Sequence, residues 1–539
     1  MKLEVAQIFK EYNEGVRFKS ALGTRGLYEQ TKINARFFAG DQWHGAKCGN
    51  DRPLVRHNVI KRIGDYKMSK VISDPITVSY SADGVPNTVG LNDEITAKKR
   101  EISADMRFNF SGIAQNDEIN FIMAALGNYR RVTAERVGFS SICEQVLHDA
   151  YISGSSIIYT YWDPDINTGL YADDSRTVPI SGDIACEVLN IEDVYFGDPY
   201  CDSVQKQPYI IIASRCDIDS VRREAERFGA NMSALRNIKA DSSGKVMVLT
   251  RLYKEYDENG EYKIKCVKVT ENAVIRQEYD TRLRMYPLAI FTWEKRNNII
   301  YGESEVTYLI PNQIAINRMI TAKVWASMTM GMPIMVVNGD TVTDNVTNDP
   351  GQVIKIYGSN EDVAGAIKYV TPPDFSSNFD TGINDLIENT LTQSGANEAA
   401  RGDSNPNNAT AIMALQNMAT MPLRLICNRF YSTIEEVSRI WADFWITQYG
   451  DRRIKIHDEN GIWYMPFSAK RYKNLLISTR VDVGADTVYS TSEQLSALSD
   501  LFEKGIINKQ QYLKRLPTGI VYNVNELINE LAAQEEEKQ

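Results

Sequence analysis

With 539 residues and 43% apolar content, the chain is long enough for about three domains and too apolar to be disordered throughout. Its net charge of −10, 60 basic against 70 acidic side chains with no dense basic cluster, argues against tight sequence-independent binding of nucleic acid, though not against brief contact with moving DNA. Seven cysteines, an odd number without a CxxC pair, argue against a disulfide framework or a structural zinc site, so reduced and mostly buried thiols are expected.

The N-terminal stretch MKLEVAQIFKEYNEG mixes Lys and Glu and reads as the start of a helix rather than a secretory signal. FFAGDQW (Phe37 to Trp43) follows. Val59, Ile63, Tyr66 and Lys70 or Val71 then recur at helical spacing, until Asp74-Pro75 ends that helix before the strand ITVSY. Ala134 to Ser153 reads as a helix with Gly154 just past its end. Strands are expected in SSIIYTYW and ACEVLNIEDVYFGDPY, separated by a polar turn DPDINTG. Alternating, β-branched sequence then runs from Lys245 to Trp293, with a hairpin signal at Glu258-Asn259-Gly260.

From Tyr301 the pattern becomes helical. Gly302 to Ile310 predicts a short helix, and Pro311 suits the first turn of a second one reaching about Met330. The most apolar run, Val324 to Val337, contains Gly331 and Pro333 and is too short to cross a bilayer, so a soluble protein made in a cytosol is expected. Pro333 to Pro373 reads as a small β-rich unit (PIMVV, QVIKIY, AIKYV), followed by a helix from about Asp380 to Gln393. After the polar loop Ser394 to Asn408, a helix from Ala409 to about Gln448 carries Ile412, Leu415, Ala419, Ile426, Phe430, Ile434, Val437, Trp441 and Phe444 on one face. It would span on the order of 60 Å. Pro422, which has no N–H to bond back to Met418, should kink it. RRIKIHD and GIWYMPF read as strands, helices begin again near Thr491, and NVNELINELAAQEEEKQ ends in an acidic tail.

Chemistry-bearing motifs are scarce. No GxxxxGKS loop, HExxH or GxSxG occurs, and four histidines (His44, His57, His148, His457) offer little acid–base chemistry. No catalytic residue, cofactor or metal is therefore expected. DPDINTGLYADD resembles a calcium loop through Asp163, Asp165 and Asn167. Its glycine, Gly169, comes one place late and Asp174 stands where Glu belongs, so a solvated hairpin turn is the better reading. Arg401-Gly402-Asp403 matches an adhesion tripeptide by coincidence. Phe430, Tyr431, Trp441, Phe444 and Trp445 are expected in a core rather than as a base-stacking platform. The neighbouring charges (Arg424, Arg429, Arg439 against Glu435, Glu436, Asp443) nearly cancel.

Several strings, in this order, resemble the tailed-bacteriophage portal family, siphophage type. FFAGDQW with the Asn58-containing helix is similar to its N-terminal signature, and GSSIIYTYWD and VYFGDPY to its wing. IYGESEVTYLIPNQIAINR resembles the start of its first stem helix, and SNPNNATAIMALQNMATMP its tunnel loop and helix. TSEQLSALSDLFEKGIINKQQYLKRLP is similar to its C-terminal helical pair.

The resemblance implies an α+β portal fold with a mixed α/β wing (1–300 and 449–490), stem helices (301–332 and 377–394) and a small β-rich clip (333–376). It further implies a tunnel loop (395–408), a kinked tunnel helix (409–448) and a helical crown (491–539). The implied function is a non-enzymatic ring, normally a dodecamer, that forms the channel for DNA packaging and ejection at the capsid vertex, after assembly in the host cytoplasm. Its implied partners are further copies of itself, the terminase large subunit, head-completion or adaptor proteins, the major capsid or scaffolding protein, and double-stranded DNA, with no membrane. The channel residues would be Glu398, Arg401, Asp403, Asn405, Asn407 and Asn408, with the kink at Pro422 and clip docking at Asp340, Asp344 and Asp349. The alternatives are another neck or ring component, a minor capsid protein, or a cytosolic enzyme with an unrecognised site.

Overall fold

The computed structural model describes residues 5–46, 53–73, 76–82, 115–171, 179–330, 334–342, 367–370, 377–396, 421–458, 461–468, 477–483 and 488–514, with 355, 359 and 365, and without 231, 257, 259, 261, 339 and 341. The elements in chain order are α1 (Val5–Ala21), α2 (Leu27–Ala39), α3 (Val59–Ile72), β1 (Ile76–Ala82), α4 (Gln115–Val137), α5 (Phe139–Ser153), β2 (Ser155–Tyr171), β3 (Pro179–Asn190), β4 (Val194–Phe196), β5 (Tyr209–Asp217), α6 (Ile218–Arg227), α7 (Met232–Asn237), β6 (Lys245–Tyr256), β7 (Tyr262–Val269) and β8 (Val274–Asp280). They continue with β9 (Leu288–Thr292), β10 (Glu294–Arg296), β11 (Ile299–Glu303), α8 (Glu305–Met330), β12 (Ile334–Val337), β13 (Ile367–Val370), α9 (Ser377–Gln393), a 3-10 turn at Met421–Leu423, α10 (Arg424–Gln448), β14 (Asp451–Asp458), β15 (Gly461–Ser468), β16 (Ile477–Val483), α11 (Val488–Glu503) and α12 (Lys509–Lys514). The mixture of helix and sheet is the expected α+β class.

The described residues form two compact units. One comprises 1–31, 66–305 and 423–539, the other 32–65 and 306–422. The first holds a five-stranded antiparallel sheet in the order β4-β5-β6-β7-β8. Strand β5 shows why it is a sheet. Its residues alternate sides, so Ile210 and Ile212 join a core with Leu252, Ile264, Tyr286 and Tyr301, while Ile211 and Ala213 meet Ile8 of α1 with Leu249 and Val267. Burying each such aliphatic side chain contributes about 1.5–3 kcal/mol.

A three-stranded sheet, β3-β2-β9, lies in the same unit, with Ser156–Tyr159 of β2 paired on both sides. Strands β1 and β16 pair antiparallel from Ile76↔Val483 to Ala82↔Ile477, joining distant parts of the chain. Helix α10 is deeply buried in this unit. Phe430, Ile434, Val437, Trp441, Phe444 and Trp445 are all in the core, as expected for four of its five aromatic residues; the fifth, Tyr431, is only half-buried. Their rings meet Phe139, Phe291 and Tyr129 edge to face, with centroids 5.3–5.6 Å apart.

Three local expectations are corrected. The single helix expected from Ala134 is two, α4 and α5, because Gly138 takes a left-handed φ of 64° between them; Gly154, at φ 91°, ends α5 as anticipated. The stretch DPDINTG is strand, not turn. β2 continues to Tyr171 opposite β3, absorbing its polar residues through register shifts at Asp163, Asn167 and Leu170. Asp163 and Asn167 spend their carbonyl-type oxygens on the N–H groups of Asp165 and Gly169, two residues on. Finally, Pro311 lies inside one continuous helix, α8, which begins at Glu305. Buried Val306, Leu309 and Ile316 on either side supply packing that offsets the cost of about 3 kcal/mol of an interior proline.

In the second unit, α8 is held to the chain's N-terminal part by a ladder of buried amides. The Gln313 side-chain oxygen accepts from Val59 N–H (2.9 Å) and Ile60 N–H (3.3 Å), satisfying the first donors of α3. Its amide group donates to the His57 carbonyl (2.6 Å) and to Asn317 Oδ1 (3.0 Å). Asn317 in turn accepts from His57 N–H and donates to Gln42 Oε1 (2.6 Å). Asn58 caps α3 through the Lys61 N–H. Three of the recognised strings, FFAGDQW, the Asn58 helix and IPNQIAINR, thus meet in space.

Candidate functional site

The channel residues expected at Glu398, Arg401, Asp403, Asn405, Asn407 and Asn408 lie outside the described residues, as does the helix expected from 409 to 420. The structure describes how that segment begins and ends. Helix α9 closes with Gly395 at φ 80°, where the Gly395 N–H donates to the Thr392 carbonyl (3.0 Å) and the Ala396 N–H reaches back to the Leu391 carbonyl (2.9 Å). Ser394 Oγ also donates to the Leu391 carbonyl, and Ala396 is buried. These contacts tie down the C-terminal turn of α9.

The other end is Pro422, exposed in the 3-10 turn that precedes α10. The two ends meet. A Cβ on Gly395 would lie 3.2 Å from Pro422 Cβ, so the chain between them starts and finishes at one point. Within the same unit Asn312 of α8 donates to Thr390 Oγ1 (3.2 Å), which joins α8 to the last turn of α9. The expected kink partner Met418 lies outside the described residues.

In the segment 333–376, expected as the clip, β12 and β13 form an antiparallel pair, Ile334↔Val370 to Val337↔Ile367. Asp340 is exposed just beyond β12. Its N–H donates to Asn338 Oδ1 (3.1 Å), and buried Val342 donates to the Asn338 carbonyl. Asp344, Asp349 and the expected strand QVIKIY lie outside the described residues. The C-terminal helical pair is described: Asn508 and Gln511 exchange backbone and side-chain hydrogen bonds (3.1 and 2.7 Å), a capping box that starts α12.

A charged cluster that no sequence pattern announced lies in the first unit. Lys67 Nζ pairs with Glu305 Oε1 at 2.6 Å, and both side chains are less than a tenth exposed. Trp293 Nε1 donates to the other oxygen of Glu305 at 3.0 Å. Arg429, on the second turn of α10, donates to the Trp293 carbonyl. Burial and the nearby Glu305 push the Glu294 carboxyl above its ordinary range. One chain of contacts therefore links α3, the first residue of α8 and the start of α10. Beside it, Gly154 and Gly302 approach so closely that a Cβ on Gly302 would lie 2.3 Å from Thr292 Cγ2 and 2.5 Å from the Gly154 carbonyl oxygen.

No helix among the described residues is long and apolar enough to cross a membrane. A search of curated proteins finds no match. A chain from the solved virion of a native gene transfer agent (GTA) particle shares 11% identity with this protein at a TM-score of 0.39, over 94% of this chain and 99% of that one. The family model for phage P22-like portal proteins matches residues 224–511, from α6 through α8, α9 and α10 to α12. That match takes in a little over half of the residues, and on it the chain belongs to the phage P22-like portal protein family.

Proposed function

We propose that this protein is the ring-forming portal subunit of a tailed bacteriophage, a non-enzymatic part of the virion rather than a catalyst. Twelve copies would surround a channel at one capsid vertex, assembled in the host cytoplasm, through which DNA is packaged and later ejected. In this reading 1–300 and 449–490 form the wing, α8 and α9 the stem, 333–376 the clip, and 491–539 the crown. The clip, through Asp340, Asp344 and Asp349, docks the terminase large subunit and later the head-completion or adaptor proteins.

The observation that most favours this reading is the closure of the segment after α9. The segment that carries the expected loop has Gly395 at one end and Pro422 at the other in contact, which holds its base, as a contact that yields to a passing duplex requires. Its charges, Glu398, Arg401 and Asp403, give no strong attraction for phosphate, and a net charge of −10 repeated around a ring repels DNA at range. Exposed Tyr308 and Met328 on α8 and Met421 beside the loop offer apolar surface for a neighbouring copy. Deleting Ala399 to Ser404 tests the reading. Rings should assemble with nearly unchanged stability while the DNA packaged or retained per capsid falls; wild-type packaging would remove this loop from the channel.

A further inference from the structure

The β10–β11 hairpin carries two carboxylates at its open end. Glu294 and Glu303 are direct cross-strand partners, the pair farthest from the turn at Asn297 and Asn298, and both are half-buried. Such partners share one face of the ladder, about 4.5–5.5 Å apart between Cβ atoms, and like charges placed there repel. The ladder is also irregular at this point, its register shifting between Glu294 and Arg296.

The charged groups facing Glu294 come from every element packed against it. They are Glu303 of β11, Glu305 of α8, Lys67 of α3 and Arg429 of α10, with Arg296 beside them on β10. The three cations are committed elsewhere: Lys67 to Glu305 at 2.6 Å, Arg296 to Glu303 at 3.4 Å, and Arg429 to the Trp293 carbonyl. Glu294 is thus the one carboxylate of the cluster without a hydrogen bond or ion pair among the described residues. Burial and Glu305 raise its carboxyl above the ordinary 4.5; Glu303 adds to the rise, and Lys67 and Arg429 oppose it. The folded state therefore holds that proton more tightly than the unfolded one. The stability it contributes is present below 4.5 and lost as pH rises through the folded value.

Two neighbouring carboxylates relieve their repulsion by sharing one proton, and an O–H donated to a carboxylate is among the stronger hydrogen bonds. We propose that Glu294 and Glu303 are a proton-operated clasp on this hairpin. In acid Glu294 takes one proton from solvent and donates it to Glu303 Oε2, closing the open end; as pH rises the proton leaves and the carboxylates part. Arg296 keeps Glu303 Oε1 in both states. The clasp lies two residues before the start of α8, and the inference does not depend on the channel reading.

Amide hydrogen exchange of the full-length protein, read by mass spectrometry, tests it. Rates are corrected for intrinsic exchange and referred to the β5–β6 pair. Relative protection of the Ile299–Glu303 amides should rise about two- to fivefold from about pH 8 down to pH 4.5, as a single cross-strand charge pair allows. Glu294→Gln, whose amide supplies a donor at every pH, should be protected at both. Glu303→Gln, which removes the opposing charge, should also lose the rise. The proposal is overturned if wild-type protection of the hairpin is equal at the two pH values or if Glu294→Gln keeps the rise. It is equally overturned if Glu303→Gln keeps the rise in full, which would assign the proton to burial and Glu305 alone.

Discussion

Replacing Lys67 by methionine keeps the aliphatic stem but removes the cation that faces Glu305. At 2.6 Å the two charges attract by about 6 kcal/mol if the effective dielectric constant is about 20, and the loss of water from both groups offsets most of that. The single substitution is costly for a different reason. It leaves the Glu305 carboxylate buried, with Trp293 Nε1 as its described partner, and stranding one member of a buried pair costs about 3–5 kcal/mol. Adding Glu305→Gln removes the stranded charge while keeping an acceptor for Trp293, so the double variant should regain most of the loss. Urea unfolding followed by tryptophan fluorescence measures both, with Trp293 itself in the cluster. The reasoning is refuted if Lys67→Met unfolds at the wild-type midpoint, or if the double variant is no more stable than the single one.

Gly302→Ala should destabilise by about 3 kcal/mol because its Cβ meets backbone that cannot withdraw. Gly127→Ala in α4, whose Cβ would meet only the Val78 carbonyl oxygen at 3.6 Å, should stabilise by about 0.5–1 kcal/mol; thermal unfolding separates the two. Burial raises the Glu436 carboxyl above its ordinary 4.5, although Gln205 and Arg439 oppose the shift. The folded state therefore holds the proton more tightly than the unfolded one, and stability from this group is present below pH 4.5 and lost as pH rises through the folded value. Glu436→Gln should accordingly gain stability over wild type near pH 7 and lose that advantage below pH 4.5, as read from unfolding midpoints at the two pH values. Charge reversal at Asp340 and Asp344 should leave rings intact but weaken terminase or adaptor docking in a pull-down.

What could be read from the sequence was what short-range chemistry decides. The spacing of Val59, Ile63 and Tyr66 placed α3, Asp74-Pro75 bounded it, and Gly154 ended α5. The aromatic face of α10 was recognisable as core because its spacing matches one side of a helix. The errors arose where a distant partner overrode a local signal. DPDINTG has turn-forming residues, but β3 offers it a ladder. Pro311 looks like a helix start, but packing on both sides carries the helix through it. The Lys67–Glu305 pair spans 238 residues of sequence, and neither residue stands in a pattern that names the other. Gln42, Gln313 and Asn317 stood inside recognised strings, yet their contact was invisible because amides pair with almost any polar group. The closure of Gly395 on Pro422 was equally hidden, since the sequence between them has the same composition whether or not those two residues meet.

The central claim, that this chain is a ring subunit of a portal, is tested most directly by imaging the purified full-length protein by negative-stain electron microscopy. The account predicts rings with a central hole and twelvefold rotational symmetry. A population of compact monomers or dimers without a hole would contradict it.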